Sequence, residues 1–397
     1  MSEAVLKRAD SPEARAEGAA RVAVTRLVLT DFRCYRRLKL EVDARPVVLF
    51  GPNGAGKTNL LEAVSFLAPG RGLRRAPLAE VRRRGAGRDA SWAVAATVAG
   101  ARGPVEIGTG DAVGDGQGPR RVVKIDGQRV RGPSALAEVV HAVWLTPDMD
   151  RLFEDRASAR RRFMDRLVYG FDPRHAARVS AYERAMRERA RLLRGGPADP
   201  AWLAALEHRM ASEGVAIAAS RREVLGRLKG ACASAPGPFP AADVAVSGLV
   251  EDWLGETPAL EAEARFRARL AAGRGEDAVT GGAAEGPHKS VFVVRHRDSG
   301  VPAEQCSTGE QKALVTAVVL ATAEVQAEAR GVAPLILLDE VAAHLDERRR
   351  HELFERLLGL GAQAWLAGTD RGVFAGLEAH AQFFRVADAT VRPASGV

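Results

Sequence analysis

Cysteine is scarce: Cys34, Cys232 and Cys306 are the only three in 397 residues, and no C-x-x-C pair occurs. An odd, scattered set excludes a disulfide framework and a cysteine zinc site, and it suits a reducing compartment. Long apolar runs are missing too. The best, Ala313 to Ala323, is about half the ~20 residues that a membrane helix needs and contains Thr316 and Thr322. The first twenty residues lack the apolar core of a signal peptide and read as a polar tail. The expectation is a cytoplasmic protein with no membrane partner. Aromatics make up 5%, too few for a binder that stacks single-stranded bases. Lysine is rare as well, at seven against 51 arginines. A coding bias toward Arg gives that ratio, and so does a phosphate-bearing partner, because the planar guanidinium grips phosphate through a fork.

What is present describes a globular chain. It is 46% hydrophobic and 27% charged, which excludes wholesale disorder. The formal net charge of +8 is clustered. Residues 151–194 hold thirteen Arg against six acids, and residues 71–88 hold seven Arg against one acid, so the rest of the chain is net acidic. Two strand-like runs, at 22–29 and 38–42, precede a short apolar run at 47–50, and Lys57 to Leu67 has helical spacing. Strand-like pieces recur at 91–98 and 121–127, around a Gly-rich stretch read as a hairpin tip. Residues 151–235 turn helical, with a break at Gly195-Gly196-Pro197 that doubles two helices back on each other. Residues 272–287 are Gly-rich and polar and read as a linker. Strand and helix patterns return from Val291 to about Val386.

The sharpest motif is Gly51-Pro52-Asn53-Gly54-Ala55-Gly56-Lys57-Thr58, which fits G-x-x-x-x-G-K-[ST] at every position, with an apolar strand before it and an amphipathic helix after it. The glycines let successive backbone N–H groups curl around phosphates, and the helix N-terminus adds about half a positive charge there. Lys57 is placed to neutralise the β- and γ-phosphates, and Thr58 to offer a hydroxyl to Mg²⁺. Far downstream, Leu335-Ile336-Leu337-Leu338-Asp339-Glu340 reads as a buried strand delivering two carboxylates to its C-terminal end, where open α/β sheets bind ligands. Asp339 is the expected Mg²⁺ ligand, and Glu340 the base that orients or deprotonates the attacking water. Cys306-Ser307-Thr308-Gly309-Glu310-Gln311-Lys312 opens another helix. A capping box of Ser307 or Thr308 with Glu310 suffices for that segment alone, yet Ser and Gly at a helix start also make an anion site.

These three elements, in this order, resemble the ABC-type ATPases, and within them the RecF family of bacterial recombination mediators. Thr30-Asp31-Phe32-Arg33-Cys34-Tyr35 resembles that family's opening strand motif, and Gly51 to Glu62 its phosphate loop, Asn59 and Glu62 included. Leu145-Thr146-Pro147-Asp148 with Arg160 to Asp165 resembles the opening of its helical arm, and Gly286-Pro287-His288-Lys289 the return to the ATPase core. Ser307 to Gln311 resembles its signature, Asp339-Glu340 with His344-Leu345-Asp346 its Walker B and D-loop, and Gly368-Thr369-Asp370 its last strand end. No Gln stands at Thr146 to Asp148, and no His follows the last strand, where Thr369 and Asp370 stand instead; slow hydrolysis fits both departures.

The resemblance implies an α/β fold: an ATPase lobe assembled from N- and C-terminal halves, with a mostly helical inserted lobe. The implied boundaries are a tail at 1–20, the first half at 21–147, the helical insertion and linker at 148–286, and the second half at 287–397. It implies ATP with Mg²⁺, Lys57 and Glu340 as the catalytic pair, and Ser307 and Gly309 reaching the γ-phosphate held by a second subunit. ATP then acts as a dimerisation switch on duplex or gapped DNA, where the dimer helps load recombinase in replication and recombinational repair. A RecR-type mediator is the implied protein partner. For the DNA surface the charge clusters nominate Arg74, Arg75, Arg82, Arg83, Arg84, Arg160, Arg161 and Arg162. A transporter ATPase subunit and a structural-maintenance-of-chromosomes head are the competing readings. The first leaves the basic arm unexplained, and the second requires a far longer coiled coil at the insertion point. A metabolic kinase would leave the signature segment unexplained.

Overall fold

The structure, a computed structural model, describes residues 21–87, 90–100, 103–112, 120–196, 199–234 and 237–394. The expected tail at 1–20, the expected hairpin tip at 113–119 and Pro197 of the expected break lie outside the described residues. The chain forms two compact units. One gathers the described residues up to 150, 237–239 and those from 319 onward; the other comprises 151–234 and 240–318.

The first unit begins with β1 (Ala23–Phe32), which buries Leu27 and Leu29 at strand period and Phe32 at its end. It pairs antiparallel with β2 (Tyr35–Glu41). Next comes β3 (Val47–Phe50), apolar throughout, as befits a parallel strand covered on both faces. It feeds the glycine loop and α1 (Lys57–Ser65). The turn α2 (Leu78–Val81), then β4 (Ala93–Ala99), β5 (Val105–Ala112), β6 (Arg120–Ile125), β7 (Gln128–Arg129) and β8 (Ala142–Leu145) follow. One sheet is antiparallel, in the order β2-β1-β4-β5-β6-β7.

The second unit carries α3 (Ala157–Tyr169), α4 (His175–Arg194) and the long α5 (Pro200–Ala233). Then come β9 (Ala242–Ser247), α6 (Leu249–Glu256), α7 (Ala259–Ala272), α8 (Arg274–Thr280) and β10 (Val291–His296). β10 pairs antiparallel with β9, so residues 291–296 are tied to this unit by backbone hydrogen bonds. Its core groups Tyr182, Met210, Val215, Ile217 and Phe266. Residues 274–280, read from composition as a linker, form a helix instead. The reason is a buried ion-pair cluster that composition cannot show. The Arg189 guanidinium, 1% exposed, donates to Glu207 at 3.0 Å, to Asp277 at 2.7 Å and to the Leu270 carbonyl at 2.6 Å. Arg274 completes it with two bonds to Glu207.

The helix α9 (Thr308–Arg330) begins in the second unit, and its residues from 319 on count with the first. The first unit then closes with β11 (Leu335–Asp339), α10 (Glu347–Gly359), β12 (Ala364–Gly368), β13 (Gln382–Ala387) and β14 (Thr390–Pro393). Its second sheet has the order β14-β13-β3-β12-β11-β8 and is parallel except for β14. Strands from both ends of the sequence therefore interleave in one sheet. The carboxyl ends of β3, β11 and β12 lie side by side, and the candidate chemistry gathers there.

Candidate nucleotide-binding site

The loop after β3 is shaped by glycine. Gly51 has φ 148°, and a Cβ there would lie 2.1 Å from the Val386 carbonyl oxygen. Gly56 has φ 113°, and a Cβ would crowd the Tyr35 hydroxyl at 2.6 Å and the Cys34 sulfur at 2.9 Å. No L side chain fits either place. Pro52, Asn53 and Gly54 are exposed at the crest, while Ala55, Gly56 and Lys57 are buried. Gly56 caps α1 without a side-chain hydrogen bond, so the first-turn amides have no side-chain acceptor. That is the arrangement an anion completes. The Lys57 ammonium donates to the carbonyls of Gly51 at 2.8 Å and Pro52 at 3.0 Å, across the mouth of the loop. Burial pulls its pKa below the usual lysine range, and the charges of Glu340 and Asp339 oppose that pull.

β11 delivers Asp339 to the same place. Thr58 Oγ1 donates to Asp339 Oδ1 at 3.0 Å, joining residues 281 positions apart. Burial pushes the Asp339 carboxyl up to about 6, against the lowering effect of the Thr58 hydrogen bond. A buried carboxylate beside a hydroxyl is an all-oxygen donor pair, and it fits a hard divalent cation that takes its remaining ligands from phosphate and water. Glu340 follows at φ 56°, a left-handed conformation that costs a non-glycine residue roughly 1–3 kcal/mol. Its amide donates to the Ala367 carbonyl at the end of β12, which holds that geometry.

The turn between β1 and β2 abuts α1. Arg33 grips Glu62, which is 1% exposed, with bonds of 2.8 and 2.6 Å. The Tyr35 hydroxyl donates to the Gly56 carbonyl, and Asn59 donates to Cys34 Sγ at 3.1 Å. Burial and the neighbouring Cys34 hold the Tyr35 phenol neutral, far above its usual pKa. A cavity of about 820 Å³ opens beside these groups, with Arg74 and Arg82 to Arg84 in its lining. Sequence reasoning missed Arg121 of β6. It donates to the carbonyls of Phe66 and Gly70 beyond the last turn of α1, and to Thr109 at 2.9 Å, with its guanidinium over the Phe66 ring. It anchors the end of the helix that begins at Lys57. No local pattern marks it, because the two carbonyls it holds lie more than fifty residues away.

The signature segment sits in the second unit. The Ser307 hydroxyl and amide both donate to Glu310, at 2.7 and 2.8 Å, so a capping box forms there. Ser307, Thr308 and Gly309 remain exposed, and a Cβ on Gly309 would meet nothing within 4 Å. Asp370 caps the turn after β12 by accepting from the Gly372 amide, and Thr369 is exposed.

The nominated arginines divide. Arg74 donates to Asn59, and Arg83 pairs with Asp31 at 2.7 Å. Arg160 donates to the Phe153 carbonyl and stands 3.6 Å from Glu304, while Arg161 donates to the Ser290 carbonyl. Arg75, Arg84 and Arg162 are exposed. Among the described residues no helix is long and apolar enough to cross a membrane.

The model of the RecF/RecN/SMC N terminal domain matches residues 23–390. A DNA replication and repair protein RecF of Mesorhizobium japonicum is 49% identical over 376 residues, covering 94% of this chain and 98% of that one. The RecF of Rhizobium meliloti is 48% identical over 373 residues, covering 94% and 99%. Among solved structures, the recombination mediator protein RecF-ATPrS of the RecFOR pathway superposes with TM-score 0.82 at 20% identity, over 95% of this chain and 99% of that one. RecF-ATP of the same pathway gives 0.80 at 21%, over 94% and 100%.

Proposed function

This chain belongs to the RecF family of DNA replication and repair proteins, and from that premise we propose that it is an ATP-gated clamp on DNA. The observation that carries the reading is the joining of Thr58 to Asp339 beneath a glycine-shaped loop whose helix start has no side-chain cap. The loop amides and Lys57 hold the triphosphate. Thr58 and Asp339 hold Mg²⁺, which when bound supplies positive charge against the phosphate oxygens. Glu340 orients the attacking water and takes its proton onto the carboxylate.

Ser307 and Gly309 are exposed, and nothing within the chain fills the space where a Cβ on Gly309 would stand, which suits a role toward a second copy. In this reading ATP is sandwiched between two subunits, hydrolysis is slow and loosens the pair, and the dimer embraces duplex or gapped DNA to help load recombinase. A RecR-type mediator is the protein partner that the family suggests.

The test is DNA binding and molecular mass measured with ATP, ADP and no nucleotide, on gapped and blunt duplexes. Mass doubling and tighter DNA binding are expected with ATP alone. Lys57→Ala should abolish both, and Glu340→Gln should hold the dimer with ATP uncleaved. A mass and an affinity indifferent to nucleotide would refute the clamp, and normal turnover in Glu340→Gln would remove Glu340 from the base role.

A further inference from the structure

We propose that the outer end of the helical unit is a docking site for a protein segment that carries acidic and apolar side chains together. A cavity of about 430 Å³, within the range of ligand pockets, lies between the C-terminal half of α4 and residues 281–289. Arg187, Arg191 and Arg194 line it from α4 at i, i+4 and i+7, the spacing of one helix face. Lys289 faces them from the other wall, and Met186 and Ala283 add apolar surface. No carboxylate lines the cavity. Arg187 has Glu183 at 3.6 Å, both more than half exposed, an arrangement worth little in water. Arg194 turns its Nε to the Ala190 carbonyl of its own helix. Among the described residues no acid is ion-paired with Arg191, Arg194 or Lys289. Four cations line this groove, three of them with no acid in an ion pair and the fourth with only an exposed one, and they call for an anionic occupant.

Exposed apolar side chains at the same end decide what kind. The Arg189–Glu207–Arg274–Asp277 cluster fixes the level of α4, α5 and α8 against one another. Five residues outward, about 7.5 Å of helix, α4 reaches Arg194 and α5 reaches back to Trp202. A Cβ on Gly281, just past α8, would lie 3.8 Å from the Arg194 guanidinium, and Val279 is two residues away. Trp202 is 50% exposed and Val279 88%, two of only four large apolar side chains so exposed among the described residues. A duplex backbone offers phosphate to the arginines and nothing to Trp202 or Val279. Exposed aromatic and arginine side chains together are the composition of protein–protein hot spots.

The inference does not depend on nucleotide, so the peptide titrations are run without any and the duplex control is run with ATP. The full-length protein is titrated into a fluorescein-labelled peptide of Asp residues interspersed with Phe, into an all-Asp peptide of equal length, and into a labelled blunt duplex. Saturable anisotropy is expected with the Asp/Phe peptide, together with a blue shift of tryptophan emission that Trp202→Ala removes. Arg191→Glu with Arg194→Glu should weaken the peptide by about tenfold or more while leaving the duplex affinity and the melting curve unchanged. If the charge reversal weakens duplex as much as peptide, the groove is a nucleic-acid track and the proposal fails. It fails equally if the reversed protein binds the peptide as well as the parent does. If the all-Asp peptide binds as tightly as the Asp/Phe peptide, the apolar half of the occupant is wrong.

Discussion

In the proposed mechanism Asp339 is pulled in opposite directions, by burial and by its role as a cation ligand. Its carboxyl is raised to about 6 in the folded chain, chiefly by burial, from the ordinary 3.8. A raised acid binds a proton in the folded state that the unfolded chain has already released. Its contribution to stability is therefore present below about pH 4 and is lost as pH rises through about 6. Two pKa units correspond to at most about 3 kcal/mol. Asp339→Asn should thus raise the melting temperature of the nucleotide-free protein at pH 7.5, with the gain shrinking toward pH 4; calorimetry across that range checks the sign. A cation needs the ionised form, so Mg²⁺ affinity should fall about tenfold per pH unit below about pH 6 in the parent protein, and titration calorimetry should detect proton release on binding. A Mg²⁺ affinity flat between pH 5 and 7 would contradict the assignment. The two glycines that shape the loop contrast with Gly54, which points into open space and whose replacement strains only its φ of 78°.

Among the elements, α4, α5 and α8 depend on Arg189 more than on any propensity. The guanidinium is buried with two carboxylates and a carbonyl as partners. Removing one partner of such a cluster leaves buried charge uncompensated and costs roughly 3–5 kcal/mol. Arg189→Met should therefore lower the urea midpoint markedly. Arg274→Met should cost less, since Arg274 is about a third exposed and Glu207 keeps Arg189. Equal losses in the two variants would show that the cluster is not organised around Arg189. The same cluster explains why a polar, glycine-rich stretch is helical. Two of the polar residues that make 272–287 look like a linker, Arg274 and Asp277, are the ones that tie it to the cluster, Asp277 buried and Arg274 partly so.

Across the whole molecule, charge placement governs the DNA reading. Binding through phosphates weakens with salt in proportion to the phosphates neutralised, with a slope of about −0.9 per contact in a log–log plot. Each exposed arginine among Arg75, Arg84 and Arg162 that touches DNA should lower that slope by about 1 when changed to Ala, without altering sequence preference. Arg83→Ala and Arg161→Ala should act on stability instead, because Asp31 and the Ser290 carbonyl lose their partner. Salt titrations of duplex binding, set beside melting curves of the same variants, separate the two groups.

The sequence by itself determined whatever is local. The glycine loop at 51–58, the capping box at Ser307 and the buried strand ending at Asp339 are readable because each is fixed by the conformational freedom of glycine, by hydrogen bonds within one turn, or by a run of apolar residues. The RecF resemblance then supplied the order in which these pieces belong. Only the tertiary structure decided which distant groups meet. Thr58 finds Asp339 because β3 and β11 flank β12 in one parallel sheet, and Arg121 reaches the end of α1 from another sheet. Which arginines stay free follows the same rule, since an ion pair is formed by the path of the backbone between its partners, and neither partner's neighbours in sequence record that path.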